Sequence, residues 1–474
     1  MTMSLSTRVS LPTGQTYTQP IGLFIDNRFV AGSGSTVNNR GISAQFSRCQ
    51  RSRCRQSCGS CPCCLRGTLV RNRGGGTWAI PFQNRRIIDR DRELLAAIDT
   101  LDNGKAFSAA LGEDLEESYQ VFKYYGGAAD KISGDTIETS PAKLAYVLRE
   151  PLGVCGQIIP WNYPFMMLAW KAAPALACGN TVVLKPAEQT PLSALYFGKL
   201  IQEAGLPPGV LNILPSLGVE AGKPLSEHMD VDKIAFTGST DTGRAIMRSA
   251  ATNLKNITLE CGGKSPSLVF ADAELDQAVK WTHMGIMSNQ GEFVRRFVAR
   301  AESQKIGDPF SEENTGGAIV SKAQYDKILD YIEQGKQGGA TLLTGGVRRG
   351  SKGYFIEPTV FTDTSENMAI VRDEIFGPVV TISQFKTEEE AINKANNTSY
   401  GLAAAIFTEK LDRAHIVARK LQAGMVWINS SQDSHYGIPF GGYKSSGIGR
   451  ELGKYALDSY TQPKAVHVNL GLKM

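Results

Sequence analysis

The chain of 474 residues is long enough for two or three domains with an ample core. Its 42% hydrophobic and 20% charged residues exclude a disordered or collagen-like chain. The first thirty residues lack an apolar signal core, and prolines, a lysine and a glycine interrupt the apolar stretch 153–184. We therefore expect a cytoplasmic protein without a membrane span. Its formal charge of +5 comes from one arginine-rich region.

The N-terminal region changes character after Gly34. Residues 1–19 are polar and contain glycine and proline, which predicts a loose arm. Residues 22–30 alternate as a strand, with Asp26 and Asn27 as a turn. Beyond them the stretch 36–87 is unlike the rest of the chain.

The stretch 36–87 is rich in arginine and cysteine and shows no regular period. Residues 27–88 contain no Asp or Glu, and six of the nine cysteines lie within 49–64. Outside this stretch the cysteine usage is that of a cytosolic protein.

Three interpretations of the stretch are open. A zinc site would use Cys58 and Cys61, but no second ligand pair follows at the required spacing. A basic nucleic-acid arm would need stacking aromatic residues, and none lies between Phe46 and Trp78. We favour the third interpretation, an aberrant and disordered segment such as a shifted reading frame, and expect no metal and no nucleic-acid partner.

Regular patterns resume at residue 89. Apolar residues at helical spacing over 94–101 predict a helix that ends at Asn103 and Gly104, and residues 112–128 predict a second helix. Residues 131–150 and the tail 460–470 alternate like strands.

Residues 154–261 alternate between apolar strands and amphipathic helices. Strands are predicted at 154–159, 182–184, 210–214, 234–236 and 257–259, with helices at 190–205 and 241–251 among them. Thr190 is predicted to cap the first of these helices, with Pro191 in its first turn. The order predicts an α/β fold with a doubly wound sheet, which binds dinucleotides where strand ends meet helix N-termini.

Polar residues follow several of these strand ends. Asn162 precedes a helix that opens at Pro164, where its amide can donate to a developing oxyanion. Lys185 can donate to ribose or phosphate, whereas Glu188 can accept from ribose hydroxyls and repels a 2′-phosphate, which favours NAD over NADP. Ser239 can bind pyrophosphate together with helix amides. Taken alone, Asn162 is more typical of a turn, and Glu188 is also consistent with a solvated charge pair in a loop.

Six motifs occur in a fixed order: Pro-Trp-Asn-Tyr-Pro at 160–164, Lys-Pro-Ala-Glu at 185–188, Phe-Thr-Gly-Ser-Thr at 236–240, Glu260 with its Gly-Gly-Lys, Glu-Ile-Phe-Gly-Pro at 374–378 and Pro-Phe-Gly-Gly-Tyr-Lys at 439–444. Together they resemble the NAD-dependent aldehyde dehydrogenases, over roughly residues 20–35 and 88–474. The resemblance implies oxidation of an aldehyde to a carboxylic acid with NAD⁺ and water.

The resemblance also implies roles for single residues. Asn162 would stabilise the oxyanion, and Glu260 would activate the water that hydrolyses a thioester. Lys171 and Glu451 match positions near a proton exit. The residues implied to bind NAD are Lys185, Glu188, Gly238, Ser239, Glu374, which would hold the nicotinamide ribose, and Phe376, which would pack beside it.

The resemblance breaks at the nucleophile. The family's cysteine should follow Gly291 within a few residues, but the sequence contains no cysteine after Cys261. Residues 292–310 resemble the helix and loop that follow the nucleophile by about fifteen to twenty residues, so we predict that the nucleophile strand is deleted. Cys261 is no substitute, because neighbouring strand residues face opposite sides and Glu260 precedes it; we expect a small buried thiol.

These patterns predict an aldehyde dehydrogenase-like α/β subunit. We expect an NAD-binding domain at 1–130 and 151–261, a catalytic domain at 262–445, and oligomerisation strands at 131–150 and 460–474. The predicted partners are an aldehyde and further copies of the chain, as a dimer or tetramer. The alternative function is that of an inactive relative that retains NAD binding or only subunit assembly. A third hypothesis is a basic, cysteine-rich binding module fused to the aldehyde dehydrogenase-like part.

Overall fold

The computed structural model describes residues 5–31, 36–38, 45–47, 86–285 and 291–471. The arginine- and cysteine-rich stretch lies almost wholly outside these ranges, and so does the junction before Gly291. The interpretation of both therefore stays a prediction.

The regular elements are numbered along the chain. The strands are β1 (Ser6–Ser10), β2 (Thr16–Pro20), β3 (Leu23–Ile25), β4 (Arg28–Val30), β5 (Thr36–Asn38), β6 (Gln45–Ser47), β7 (Thr136–Ser140), β8 (Lys143–Pro151), β9 (Val154–Ile158), β10 (Thr181–Lys185), β11 (Leu211–Ile213), β12 (Lys233–Thr237), β13 (Asn256–Glu260), β14 (Ser267–Val269), β15 (Thr341–Thr344), β16 (Thr359–Thr362), β17 (Val379–Thr381), β18 (Ala403–Phe407), β19 (Met425–Ile428), β20 (Gly447–Ile448) and β21 (Thr461–Asn469). The helices are α1 (Arg92–Asn103), α2 (Glu116–Ala128), α3 (Pro164–Ala177), α4 (Leu192–Glu203), α5 (Lys223–Glu227), α6 (Thr240–Ala250), α7 (Leu275–Gly285), α8 (Gly291–Ser303), α9 (Lys322–Gln337), α10 (Ala369–Arg372), α11 (Glu388–Asn396), α12 (Leu411–Lys420) and α13 (Gly453–Ser459).

An eight-stranded sheet in the order β20-β13-β12-β9-β10-β11-β3-β4 forms the largest layer. Its five central strands are parallel, because a helix connects each to the next, and the strands at both edges are antiparallel. Helices α3 and α4 contribute many of the side chains of the main apolar core. The doubly wound fold is therefore confirmed, and the carboxyl ends of β9, β10, β12 and β13 share one edge.

Residues 5–19 of the N-terminal arm form regular structure, contrary to the prediction. β1 and β2 form an antiparallel hairpin, in which Val9 and Tyr17 are buried in the main core. The alternation is too short and polar for the sequence to signal a strand pair. The next hairpin, β3–β4, is as predicted: Asp26 and Asn27 join it with φ values of 48° and 61°.

Two aspartates of α1 cap two other helices. The Leu192 N–H at the start of α4 donates to Asp102 Oδ2 at 2.8 Å, and the Phe165 N–H of α3 donates to Asp99 Oδ2 at 3.2 Å. The predicted cap is wrong: the Thr190 side chain makes no cap hydrogen bond, and its buried hydroxyl has no partner among the described residues. Instead, the carboxylate of Asp102 accepts the hydrogen bond at the start of α4. A negative charge suits this position because the free N–H groups of a helix N-terminus carry partial positive charge.

A separate small sheet has the order β21-β8-β7. β21 pairs antiparallel with β8 along its whole length, from Thr461 opposite Pro151 to Asn469 opposite Lys143. The two segments expected to serve in oligomerisation therefore pair with each other, and the assembly itself stays a prediction.

Residues 262–445 contain two three-stranded sheets, β14-β18-β19 and β15-β16-β17. Both contribute to one apolar cluster with α7 and α8. Among the described residues, no helix combines the length and hydrophobicity needed to cross a membrane.

Candidate active site

Glu260 is a buried carboxylate at the carboxyl end of β13. It is 3% exposed, and neither of its oxygens has a hydrogen-bond partner among the described residues. Burial raises its pKa well above the usual value, and the neighbouring Glu451 adds to this, whereas Lys171 opposes it. A Cβ at Gly441 would lie 2.7 Å from Glu260 Oε1, so the chain passes close beside the carboxylate because a glycine is there.

Lys171 and Glu451 form a buried ion pair next to this carboxylate. The Lys171 Nζ lies 2.6 Å from Glu451 Oε1 and donates to Thr237 Oγ1 at 2.5 Å. Thr237 pairs in register with Glu260 across β12 and β13, which places the ion pair on the same face of the sheet. The two residues assigned to a proton exit therefore meet, although 280 positions separate them.

Asn162 lies in the loop between β9 and α3. Its backbone oxygen accepts from Asn103 Nδ2 at 3.2 Å, and Asn103 also donates to the Trp161 oxygen at 3.3 Å. The buried Asn162 Oδ1 has no partner within the described ranges. Asn103 therefore fixes the backbone of this loop. The side-chain oxygen of Asn162 makes no hydrogen bond to a described residue, so it does not hold that side chain in place.

Glu374 and Phe376 face the 160–164 loop across a cavity of about 810 Å³, which Tyr163, Gly263 and Glu374 help to line. The Gly263 N–H donates to Glu374 Oε1 at 3.0 Å. Burial raises the pKa of Glu374. The Phe376 and Trp161 rings meet edge-on with their centres 5.0 Å apart, and the cavity lining brings together residues from three of the predicted motifs.

Lys185 and Glu188 form a pair at the carboxyl end of β10. The Lys185 Nζ donates to Glu188 Oε2 at 3.1 Å and to the Pro186 carbonyl at 3.0 Å. Burial lowers the pKa of Lys185, and Glu188 opposes this shift. The Glu188 side chain is 34% exposed, so its carboxylate can still accept from a ligand. This pair does not line the cavity of Glu374.

Ser239 is the N-cap of α6. Its hydroxyl oxygen accepts from the Thr242 N–H at 3.3 Å, which occupies the side chain expected to bind pyrophosphate. The first-turn N–H groups of Thr240 and Asp241 have no intrahelical acceptor and stay available for an anion. The Gly238 N–H donates to the Glu260 carbonyl at 3.0 Å, which ties this turn to the end of β13.

Cys261 faces away from Glu260. A Cβ at Gly243 of α6 would lie 2.6 Å from the Cys261 sulfur, so the thiol packs against that helix. Burial raises the pKa of the thiol to about 12, and Glu260 and Glu374 add to the shift. A thiol in this state is a poor nucleophile at neutral pH.

The sequence did not point to several residues that shape the site. Asn103 was predicted only as a helix end, and Gly441 only as part of a motif. The Lys105 Nζ lies 3.6 Å from the centre of the Tyr163 ring and forms an ion pair with Asp114 at 2.5 Å. No local pattern signals a contact between residues so far apart in sequence. Within the described ranges, no group of three or more His, Cys, Asp or Glu could hold a metal ion.

The profile of the aldehyde dehydrogenase family matches residues 79–466, which is more than half of the chain. The chain belongs to the aldehyde dehydrogenase family. This membership confirms the resemblance drawn from the six motifs.

Curated and solved members of the family cover nearly the whole chain. The aldehyde dehydrogenase of Alternaria alternata is 48% identical over 495 residues, with 98% of this chain and 99% of that protein covered. The aldehyde dehydrogenase of Emericella nidulans is 48% identical over 489 residues, with 96% of each covered. The NAD⁺ complex of the aldehyde dehydrogenase from Bacillus cereus has a TM-score of 0.92 and 43% identity, with 95% of this chain and 97% of that chain covered.

Proposed function

We propose that this chain binds NAD at the carboxyl edge of its large sheet, and that its reaction is oxidation of an aldehyde to a carboxylic acid. The observation that carries the proposal is Glu260, a buried carboxylate that accepts no hydrogen bond from any described residue and lies beside the Lys171–Glu451 pair. An uncompensated buried carboxylate costs stability, and such groups cluster at catalytic sites.

The residues present fit a dinucleotide. Glu188 offers a partly exposed carboxylate for ribose hydroxyls, and α6 offers first-turn amides for pyrophosphate. A Cβ at Gly262 would lie 2.2 Å from Glu374 Oε2, so the glycine leaves room for this carboxylate, which would hold the second ribose. The nicotinamide ring, when bound, accepts a hydride.

The chain's own groups would perform the steps around that transfer. The Asn162 amide donates to the carbonyl oxygen of the aldehyde as negative charge develops there. Glu260 takes a proton from the water whose oxygen bonds to the carbonyl carbon, and the Lys171–Glu451 ion pair lies beside that carboxylate. We propose further that the protein is cytoplasmic and assembles as a homo-oligomer.

The missing nucleophile limits this function. An alignment of 495 positions with the Alternaria relative exceeds the 474 residues of this chain, so the relative has residues that this chain lacks. The chain has no cysteine after Cys261, and the structure gives Cys261 no catalytic environment. The second candidate function is therefore an inactive relative that keeps the NAD site, and measurement of NAD affinity and of turnover on one preparation separates the two.

Replacing the ribose acceptor is expected to weaken NAD binding. Glu188→Ala removes a charged acceptor, which is worth about ten- to hundredfold in affinity. Calorimetry on the purified chain measures this, with Glu409→Ala as the control, since Glu409 is an exposed carboxylate of a distant loop. Equal affinity in the wild type and in Glu188→Ala would sink the assignment.

Adding a methyl group at Gly262, beside the Glu374 carboxylate, is expected to weaken NAD binding as well. In Gly262→Ala the new Cβ would stand 2.2 Å from Glu374 Oε2 and displace the carboxylate. Loss of one charged hydrogen bond corresponds to about tenfold in affinity. Gly112→Ala is the matched control, because no atom lies within 4 Å of its Cβ position. If both variants bind NAD alike, Glu374 does not hold the ribose.

The pH dependence should report Glu260. Because burial raises its pKa, the carboxyl is protonated below that pKa and can act as a base only above it. In a chain with the missing segment restored, activity should therefore rise with pH through a pKa well above 4.5. Glu260→Gln should abolish this rise of activity with pH and reduce turnover by about 10²- to 10⁴-fold. If the pH profile of Glu260→Gln is unchanged, another group causes the rise of activity with pH.

A further inference from the structure

A buried polar layer lies behind the candidate site, on one face of the large sheet. In neighbouring parallel strands, paired residues point to the same face, and so do residues two or four positions apart. Lys233 of β12 pairs with Asn256 of β13, and Thr237 pairs with Glu260. Lys171 of α3 donates to Thr237, so these side chains lie on the face that carries the buried ion pair.

Lys233 is a buried lysine whose hydrogen-bond partners are neutral. It is 0% exposed, and its Nζ donates to Thr258 Oγ1 and, at 3.0 Å, to Asn256 Oδ1. The ammonium lies 5.0 Å from the centre of the Tyr460 ring. Within the described ranges, no carboxylate forms an ion pair with it. A buried ammonium without a counterion is costly, so burial favours the neutral amine.

The groups that face Lys233 allow it to titrate near neutral pH. Burial lowers its pKa to about 8, Cys155 of β9 and Glu451 oppose this shift, and Lys171 adds to it. Burial raises the pKa of the Tyr460 phenol, which therefore stays neutral. An amine with a pKa of about 8 is present in both forms at neutral pH, so it can accept a proton and release it.

Lys233 connects the interior of the layer with solvent. Asn256 is exposed at the start of β13, whereas Thr258 is 3% exposed. The Thr258 hydroxyl accepts from Lys233 and keeps its own hydrogen for an acceptor deeper in the layer. From Asn256 to Glu260 the strand is about 13 Å long, and each of its residues on this face is polar.

The deep end of the layer contains acceptors without a protein donor. Both carboxylate oxygens of Glu260, Glu451 Oε2 and Gln157 Oε1 are buried and accept no hydrogen bond from a described residue. Gln157 of β9 belongs to this layer, because it donates to the Lys171 carbonyl at 2.7 Å and to the Tyr460 hydroxyl at 3.3 Å. Buried acceptors of this kind are served by internal water, which makes about three hydrogen bonds at such sites.

The Lys171–Glu451 ion pair does not by itself reach solvent. Both residues are buried, so a proton passed to them needs a further group with access to solvent. Lys233 is such a group, because both members of the pair act on its pKa and its partner Asn256 is exposed.

We propose that this polar layer conducts the proton of Glu260 to solvent at Asn256, with Lys233 as its outermost relay. This rests on the proposed role of Glu260 as a base, which takes up one proton in each turnover. Internal water accepts the proton from Glu260, Thr258 passes one to the amine of Lys233, and the resulting ammonium releases one to water beside Asn256. The net change is one proton moved from the carboxyl to solvent, and no group is oxidised or reduced.

The test follows exchange of the Glu260 carboxyl proton in the full chain and needs no turnover. Infrared spectroscopy detects the C=O stretch of a protonated carboxyl, which shifts when deuterium replaces the proton, and Glu260→Gln identifies the band. After rapid mixing with D₂O, at a pH at which the band is present, it should shift at least tenfold more slowly in Lys233→Met than in the wild type. Equal rates overturn the relay alone, whereas a wild type without this band at any pH overturns the base role of Glu260 as well.

Two variants separate proton transfer from support of the fold. Lys233→Arg keeps the positive charge and the donors but does not release a proton, so exchange should stay as slow as in Lys233→Met. Exchange as fast as in the wild type would show that Lys233 only supports the packing, and the proposal would be wrong. Lys255→Met is the matched control: Lys255 is also buried, but it donates to the Ser226 carbonyl at 2.6 Å, outside the layer, so its removal should leave the exchange rate unchanged.

Thr258→Val tests the layer without removing a buried charge. Valine keeps the branched shape of the side chain and lacks the hydroxyl that accepts from Lys233, so exchange should again slow at least tenfold. Circular dichroism verifies the fold of each variant. Should Lys233→Met or Lys233→Arg fail to fold, Thr258→Val decides, and a wild-type exchange rate in that variant overturns the proposal.

Discussion

The chain as it stands is expected to produce NADH from short aliphatic or aromatic aldehydes at least 10⁴-fold more slowly than a variant with the missing segment inserted before Glu292. A hydride can leave only from a tetrahedral adduct, and the thiolate that forms this adduct is absent. Loss of a catalytic nucleophile costs on the order of 10⁴ to 10⁶ in rate. Absorbance of NADH at saturating NAD⁺ measures both preparations side by side.

The residual rate of the unrestored chain has its own control. A hydrated aldehyde is itself a tetrahedral hydride donor, so any residual turnover would run through water, with Glu260 as the base. Cys261→Ala should leave any such rate unchanged, because the thiol packs against Gly243 and its pKa is raised to about 12. Turnover by the unrestored chain comparable to that of the restored one would reveal a different nucleophile, and the inert role of Cys261 would be the first claim to withdraw.

Periodicity was sufficient to predict the central sheet. The strands β9 to β13 are short, apolar and buried on both faces, and helices with one apolar stripe separate them. Their carboxyl ends then had to share an edge, which brought Lys185, Thr237 and Glu260 to one side of the sheet. Local pattern and fold agree there.

Contacts distant in sequence could not be predicted in the same way. Thr190 satisfied the local rule for a helix cap, yet Asp102 makes the hydrogen bond from 90 positions away. The hairpin β1–β2 was missed because its residues are mostly polar, and only Val9 and Tyr17 enter the core. In both cases tertiary packing decided the outcome, and single-sequence rules do not contain it.

The candidate site shows the same division. Family motifs identified Asn162, Glu260 and Glu374, but not the groups that position them. Asn103 holds the loop of Asn162 through two backbone oxygens, and the bare backbone at Gly262 makes room for Glu374. Such roles depend on close approach in space, for which one sequence gives no signal.

Removal of Lys171 is expected to cost about 3 to 5 kcal/mol of stability. Lys171 is 0% exposed and lies 2.6 Å from Glu451 Oε1, so Lys171→Met leaves a buried carboxylate without its cation. This cost is a large part of the stability of an ordinary domain. A urea titration followed by circular dichroism should show an unfolding midpoint far below that of the wild type.

Two further variants distinguish a broken ion pair from lost packing. In the double variant Lys171→Met/Glu451→Leu both partners of the ion pair are removed, so neither is left as an unpaired charge, and most of the lost stability should return. Lys322→Met removes a cation from an exposed pair 2.5 Å from Asp326 and should leave the midpoint unchanged, because solvent screens that pair. A double variant as unstable as Lys171→Met would show that the lysine stem, rather than its charge, supports this part of the core, and the electrostatic role proposed for the pair beside Glu260 would fall with it.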